Sequence, residues 1–421
     1  MNYLLQKAHV VAPSSEYHNK TVDILIEKGK IKSIGKNLKS NDVKIINSPN
    51  LIVTPGWLDM RCFIPDPGFE YKETIESALA AAALGGFTGI AAFPNTSPIR
   101  DSKSDVLYAL DKAKGKGVEL FAVGAVSDNL EGKNLAELFD MHNAGAIAFT
   151  EGKDGIQDDN LMLRALLYAK GFKGLVINLP NTNSISQNGK MNEGENSTFL
   201  GLKGLPSIAE ELMISRDLFL LSYTEGKLHL GPISAKNSVQ LIKEGKKKGL
   251  NLSCETSILN LIFDDSVLSE FDTNYKVFPP LRTKADQTSL IKAINEGIID
   301  VVSSNHKPEN IENKDVEFDH AKFGATNLET FYSVYNQYLS KKITLEKWVD
   351  VVSVNPRRIL GLNPIKIEEG EMANLTLLDP TLDWNYKLAE KKSLSNNSSF
   401  IDKKMVGKVV GVINKGKVIL N

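Results

Sequence analysis

FTGIAAFPN (Phe87–Asn95) leading into DVLYALDKAKGKG (Asp105–Gly117), then VELFAVGAV (Val118–Val126) leading into LAELFDMHNAG (Leu135–Gly145), is the stretch that decides the fold. A short apolar run of strand length passes through a turn into a helical pattern, and the pair repeats at once. The same unit continues down the chain. AIAFTEG precedes LMLRALLYAKGF, GLVINLP precedes IAEELMISRDLFLLS, and LHLGPIS precedes SVQLIKEGKKKG. LNLSCETS then precedes SLIKAINEG, and IDVVSSNHKP precedes LETFYSVYNQYL. With LIVTPGWLDM and IESALAAAALGG at the front, the series has eight β–α units. Several helical segments run into Gly, the residue that most readily ends a helix. Strands alternating with helices predict a parallel sheet, and eight units predict a closed (β/α)8 barrel of the α/β class. Such barrels place their chemistry at the C-terminal strand ends, so the residues just past each apolar run are the ones to read.

The two ends of the chain have a different texture. VDILIEKGKIKSIG (Val22–Gly35) holds two β-type runs about a Lys-Gly-Lys turn, and ANLTLLDP (Ala373–Pro380) and VGKVVGVINKGKVIL (Val406–Leu420) are similar. They predict one composite β-sandwich domain from residues 1–54 and 366–421, around a barrel over 55–365. The 421 residues suit that division, since a barrel takes roughly 250 residues and single cores stop growing near ~300. With 50 basic against 51 acidic residues, the chain lacks the basic excess of a nucleic-acid binder. Two distant cysteines, Cys62 and Cys254, make neither a disulfide framework nor a zinc ribbon and suit a reducing compartment. No signal-peptide pattern and no long apolar run is seen, so the expectation is a cytoplasmic protein without a membrane partner. KEGKKKG (Lys243–Gly249) reads as a solvated helix end, and the Asn-rich stretch from Asn183 to Asn196 as a long loop over the barrel mouth.

The strand ends carry a more specific signal. PGWLDMRCFIPDPG (Pro55–Gly68), AAFPNTSPIRD (Ala91–Asp101), MNEG (Met191–Gly194), LGLKGLPSIAEELMISRD, YKVFPPLRTKAD, EFDHAKFGATNLET and SLSNNSSF (Ser393–Phe400) together resemble the dihydroorotase family of cyclic amidohydrolases. The likeness spans nearly the whole chain. It implies a metal-dependent-hydrolase barrel with a small β-sandwich, and one or two zinc ions that activate water while an Asp carries the proton.

Carried over residue by residue, the resemblance puts the family's metal ligands on unsuitable side chains. The first two histidines fall on Arg61 and Phe63, a fixed cation and a benzyl ring. The fourth-strand Asp falls on Glu151, and the fifth- and sixth-strand histidines on Leu179 and Pro232. The eighth-strand Asp falls on Asn305, which cannot serve as a proton carrier. Only Glu151 keeps a good donor. The six histidines (His9, His18, His142, His229, His306 and His320) form no H-x-H pair and no helical H-x-x-x-H. Cys62 reads as a small buried side chain rather than a replacement ligand. The expectation is therefore no bound metal and no cofactor.

The positions that the resemblance assigns to substrate are mixed. Asn95 matches a residue that holds the substrate carboxylate, although an Asn after a strand also reads as a turn former. His306 and Arg282 keep their places, each also readable as structural, while the family's other clamps fall on Pro65, Phe278 and Glu309. Arg61 is a candidate anion clamp for a small carbamoyl or ring acid. The main functional expectation is a non-catalytic dihydroorotase-like protein, structural or regulatory in pyrimidine biosynthesis, with aspartate carbamoyltransferase as candidate partner and a homo-oligomeric state. The competing expectation is an active dihydroorotase or related cyclic amidohydrolase that hydrolyses a ring C–N bond.

Overall fold

The computed structural model describes residues 2–40 and 42–421. Eight short parallel strands form the barrel: Trp57–Cys62, Phe87–Ala92, Glu119–Ala125, Ala148–Thr150, Val176–Asn178, Leu228–Leu230, Leu252–Ser257 and Val301–Ser303. They pair in chain order. A parallel bridge from Cys62 to His306 brings the end of the eighth strand back beside the first. Almost all of these strand residues are buried, because one face fills the barrel and the other meets helices. That is why the runs are continuously apolar instead of alternating.

The helix after the first strand, Ile75–Gly85, shows how the local sequence sets the packing. Thr74 accepts from Ser77 N and the Ser77 hydroxyl answers the Thr74 N–H, so the entry is capped on both sides. Ala78, Ala81 and Ala82 are buried and let the helix lie close to the barrel. Gly86, at φ 97°, ends it in the left-handed region. Beneath the helix, the buried Trp57 meets Phe87, Phe331 and Tyr332 edge-on with centroids 5.9–6.2 Å apart.

Both chain ends build a separate eight-stranded sheet. Its centre is Ile52–Pro55, parallel to Asn2–Val10 on one side and antiparallel to Leu375–Asn385 on the other. The Asn-rich stretch is more ordered than the expected loop. Asn183–Ser186 and Glu195–Phe199 are helical, and Met191–Asn192 pairs with Gly204–Leu205. The reason is side-chain bonding: Asp265 accepts from the amides of Asn192 (2.6 Å) and Asn196 (2.7 Å).

Candidate functional site

Asp59 and Arg61 lie two residues apart on the first strand and so share a face. Arg61 is 1% exposed. Its Nε stands 2.5 Å from Oε1 of Glu255, equally buried on the seventh strand. A terminal guanidinium nitrogen donates to the Gly231 carbonyl at the end of the sixth strand, and the guanidinium carbon sits 4.6 Å above the Phe93 ring. A desolvated cation thus finds a carboxylate, a carbonyl and an aromatic face. Beside it, Asp59 accepts from the Ser304 hydroxyl and backbone, from Arg61 N (3.2 Å) and from the Cys62 thiol (3.2 Å). Burial outweighs those bonds and pushes the Asp59 carboxyl up to about 6, while burial and the Asp59 charge raise the Cys62 thiol far above its ordinary range.

The remaining strand-end positions mostly face protein. Glu151 accepts from Ser127 N (2.8 Å) and Ser127 Oγ (2.9 Å), and burial raises its carboxyl. Asn305, at φ 50°, donates its amide to the Phe278 carbonyl at 3.0 Å. Pro232 is buried. His229, three residues earlier, holds the Ser253 hydroxyl at 2.8 Å, and burial lowers it to about 4. His306 is fully buried at the barrel seam, with Nε2 3.4 Å from Glu73 Oε2 and no hydrogen bond at either ring nitrogen. Arg282 spends its guanidinium on Ser234 Oγ (3.0 Å), Asn192 Oδ1 (3.0 Å) and the Leu205 carbonyl (2.5 Å), which ties the 191–205 excursion to the barrel.

Two cavities open at the C-terminal mouth. The larger, ≈ 790 Å³, has Phe63, Pro65, Asn95 and Glu309 in its wall; the smaller, ≈ 520 Å³, has Leu179, Lys276 and Phe278. Lys153, Asp154, Lys307, Lys322 and Phe323 line both. Arg61, Glu151, Arg282, Asn305 and His306 line neither. Arg61 is therefore no free clamp for a ligand in these cavities, because it lines neither and its Nε and one terminal nitrogen are paired inside the barrel. The Asn95 side chain lies over Gly152, whose φ of 72° and missing Cβ make the room: a Cβ there would stand 2.0 Å from Asn95 Oδ1. That oxygen is buried without a hydrogen-bond partner.

Sequence reading missed three contributors. Glu255 lies within the buried strand Leu252–Ser257, and a carboxylate inside a strand run was the available signal. Lys307, directly after His306, carries an ammonium 5.6 Å over the Phe63 ring, and burial lowers its pKa. Asn397, in the SLSNNSSF segment, donates to the Lys307 carbonyl (3.0 Å) and accepts from Glu309 N (3.2 Å). It braces the loop that carries Lys307.

The residues at the mouth do not fit a zinc ion. Where the resemblance places the first ligand there is a paired guanidinium, and the one retained carboxylate, Glu151, is held by Ser127. Among the described residues, no group of three His, Cys, Asp or Glu side chains is arranged to hold a metal ion. None of their helices is long and apolar enough to cross a membrane.

An eight-stranded parallel barrel with a sheet drawn from both termini defines the amidohydrolase type of fold. The L-hydantoinase (dihydropyrimidinase) from Arthrobacter aurescens shares it with a TM-score of 0.87, at 22% identity over 100% of this chain and 96% of that one. The D-hydantoinase (dihydropyrimidinase) from Thermus sp. has a TM-score of 0.82 at 22% identity, over 100% and 95%. The sequence narrows this further. Residues 50–238 match the dihydro-orotase-like family. The dihydroorotase of Acetivibrio thermocellus is 38% identical over 420 residues, covering 99% of this chain and 98% of that one. That of Geobacter metallireducens is 37% identical over 422 residues, covering 100% and 99%. The chain belongs to the dihydroorotase family.

Proposed function

We propose that this chain is a non-catalytic member of the dihydroorotase family, with a structural or regulatory role in pyrimidine biosynthesis. The observation that carries the reading is the Arg61–Glu255 pair, which puts a permanent cation inside the barrel at the position where the family resemblance calls for a metal-binding imidazole. Without activated water, ring opening loses most of its rate, since removing even one strong electrostatic element costs ~10²–10³. The fold does not need the ion, because a chain of this size buries about 75% of its unfolded surface. Aspartate carbamoyltransferase is the candidate partner and a homo-oligomer the expected state.

Elemental analysis of the purified protein is expected to find zinc well below one ion per chain, and cyclisation of carbamoyl aspartate to stay at background. Stoichiometric zinc with turnover would end this reading. That outcome would favour the second one, an active cyclic amidohydrolase, for which the whole-length similarity to proteins named dihydroorotase speaks.

A further inference from the structure

The helix Ile208–Thr224, between the fifth and sixth strands, turns one face to the barrel and an apolar one to solvent. The inner face is fixed: Ala209, Met213, Ile214, Asp217 and Leu221 are buried, and the Asn178 amide donates to Asp217 Oδ2 at 2.6 Å. On the outer face Ile208, Leu212, Phe219 and Tyr223 are 55%, 50%, 79% and 77% exposed. Their spacing, 208 to 212, 212 to 219 and 219 to 223, keeps all four in one stripe along the helix. Ser215, in the middle of the stripe, is small. Arg216 beside it is drawn aside to Asp217 (2.7 Å), Asp159 (3.2 Å) and the Gln157 carbonyl (3.2 Å). On the adjoining helix Asp159–Lys170, Leu167 is exposed too, one turn before the Lys170 that reaches Glu225 at the end of the stripe.

A single exposed apolar side chain is ordinary, but a continuous stripe marks a contact surface. The exposed parts of these five side chains come to on the order of 500 Å² per copy, against ~800 Å² per partner in a standard stable interface. A polar rim supplies the rest. The spacing says which partner fits, because it reads the same in both directions about the midpoint between Ser215 and Arg216. Laid antiparallel on a second copy across a two-fold axis at that midpoint, Ile208 meets the partner's Tyr223 and Leu212 the partner's Phe219. Each contact then occurs twice, as a self-complementary interface requires. Ser215 at the crossing lets the two helices approach closely. The rim carries both signs, Lys170 with Glu225 and Arg216 with Asp159, unlike the basic border of a helix that lies on a membrane. We propose that this stripe is the face on which two copies of the chain pair, helix against helix and antiparallel. The inference rests on the homo-oligomeric part of the proposed function and is independent of whether the barrel turns over substrate.

Sedimentation equilibrium on the full chain, over a wide range of concentration, is expected to give twice the chain mass. Leu212→Glu/Phe219→Glu is expected to halve that mass. Its urea midpoint should stay at the parent's value, because both positions are exposed and lie outside the packed core. A larger assembly that the same variant halves supports the pairing equally. Ser215→Cys tests the register. Where two antiparallel helices cross, its Cα comes within ~4–7 Å of its symmetry mate, a distance that a disulfide can bridge. Mild oxidation is therefore expected to yield a covalent dimer on a non-reducing gel, and the native Cys62 and Cys254 are buried and do not compete. Leu107→Cys, exposed on the helix Lys103–Lys112, is expected to run as a single chain there. A parent that sediments as one chain, a double variant that keeps the parent's mass, or a Ser215→Cys protein no more cross-linked than Leu107→Cys overturns the inference. Zinc uptake with turnover in a dimer that passes these tests would remove the non-catalytic reading and leave this one standing. An inert protein that sediments as a single chain would do the reverse.

Discussion

Glu255→Gln puts the central reading at risk most directly. It keeps the size of the side chain and removes the charge that faces Arg61. Whether this matters depends on burial. Exposed ion pairs contribute ~0–1 kcal/mol, while removing one partner of a buried pair costs ~3–5 kcal/mol because the other charge is stranded. Both side chains here are 1% exposed, so the second range applies. The Gly231 carbonyl and the Phe93 ring still touch the guanidinium and keep the loss nearer ~3 kcal/mol. Arg61→Met strands Glu255 instead, and Glu255 already has one carboxylate oxygen without a partner, so its loss belongs near ~5 kcal/mol. The double variant Arg61→Met/Glu255→Leu strands nothing and is expected to lie between unchanged and ~1–4 kcal/mol more stable than the parent. Equilibrium urea unfolding, followed by tryptophan fluorescence and far-UV circular dichroism, reads all three, and Glu255→Leu alone closes the double-mutant cycle. Single variants that each cost less than ~1 kcal/mol would mean that the pair behaves as a surface contact, and the description of the barrel interior would be wrong.

Chelation is expected to leave the parent's urea midpoint unchanged, because an ion bound only to the native state would add RT ln(1 + [L]/Kd) to its stability; a clear drop on adding EDTA would contradict the residue set at the mouth. His229 is buried neutral, with a folded pKa of about 4 against the ordinary 6.5. The unfolded chain therefore takes up the proton first, and stability falls as pH drops from 6.5 toward 4, by up to about 3 kcal/mol. His229→Asn should flatten that part of a urea-midpoint-versus-pH profile, and a profile identical to the parent's would refute the assignment. Gly152→Ala puts a Cβ on a residue at φ 72° and against Asn95. It is expected to cost ~1–2 kcal/mol in urea unfolding; a neutral result would mean that the 150–154 turn gives way easily. Trp57→Ala, deep in the aromatic cluster, should cost ~3–5 kcal/mol.

The fold was legible because its signals are local. Eight apolar runs, each followed by a helical pattern, specify buried parallel strands with helices outside, and the β-type texture of both ends was enough to join them in one sheet. The Asn183–Asn196 stretch misled because Asn and Gly mark turns, while here the asparagine amides are consumed by Asp265, a residue some seventy positions away. The Lys243–Gly249 run was read as solvated charge, yet Lys246 reaches Asp300 Oδ2 at 2.6 Å and the Ile298 carbonyl at 2.7 Å. Both cases concern long-range pairing, which no window of sequence contains. The same limit governs the site. Arg61 could be recognised as a cation in a ligand position, but its partner stands 194 residues further along, and only closure of the barrel brings them together.

That pairing also bears on how the barrel interior accommodates a buried cation. Left without partners, the Arg61 guanidinium would be a stranded buried charge. Instead the cation is met by a carboxylate from the seventh strand, a carbonyl at the end of the sixth and the ring of Phe93 just past the second. At the rim, Asn397 holds the backbone that carries Lys307, and Asn95 Oδ1 lies over Gly152 without a partner. The balance is incomplete even inside the barrel, where Glu255 Oε2 and both ring nitrogens of His306 have no hydrogen-bond partner.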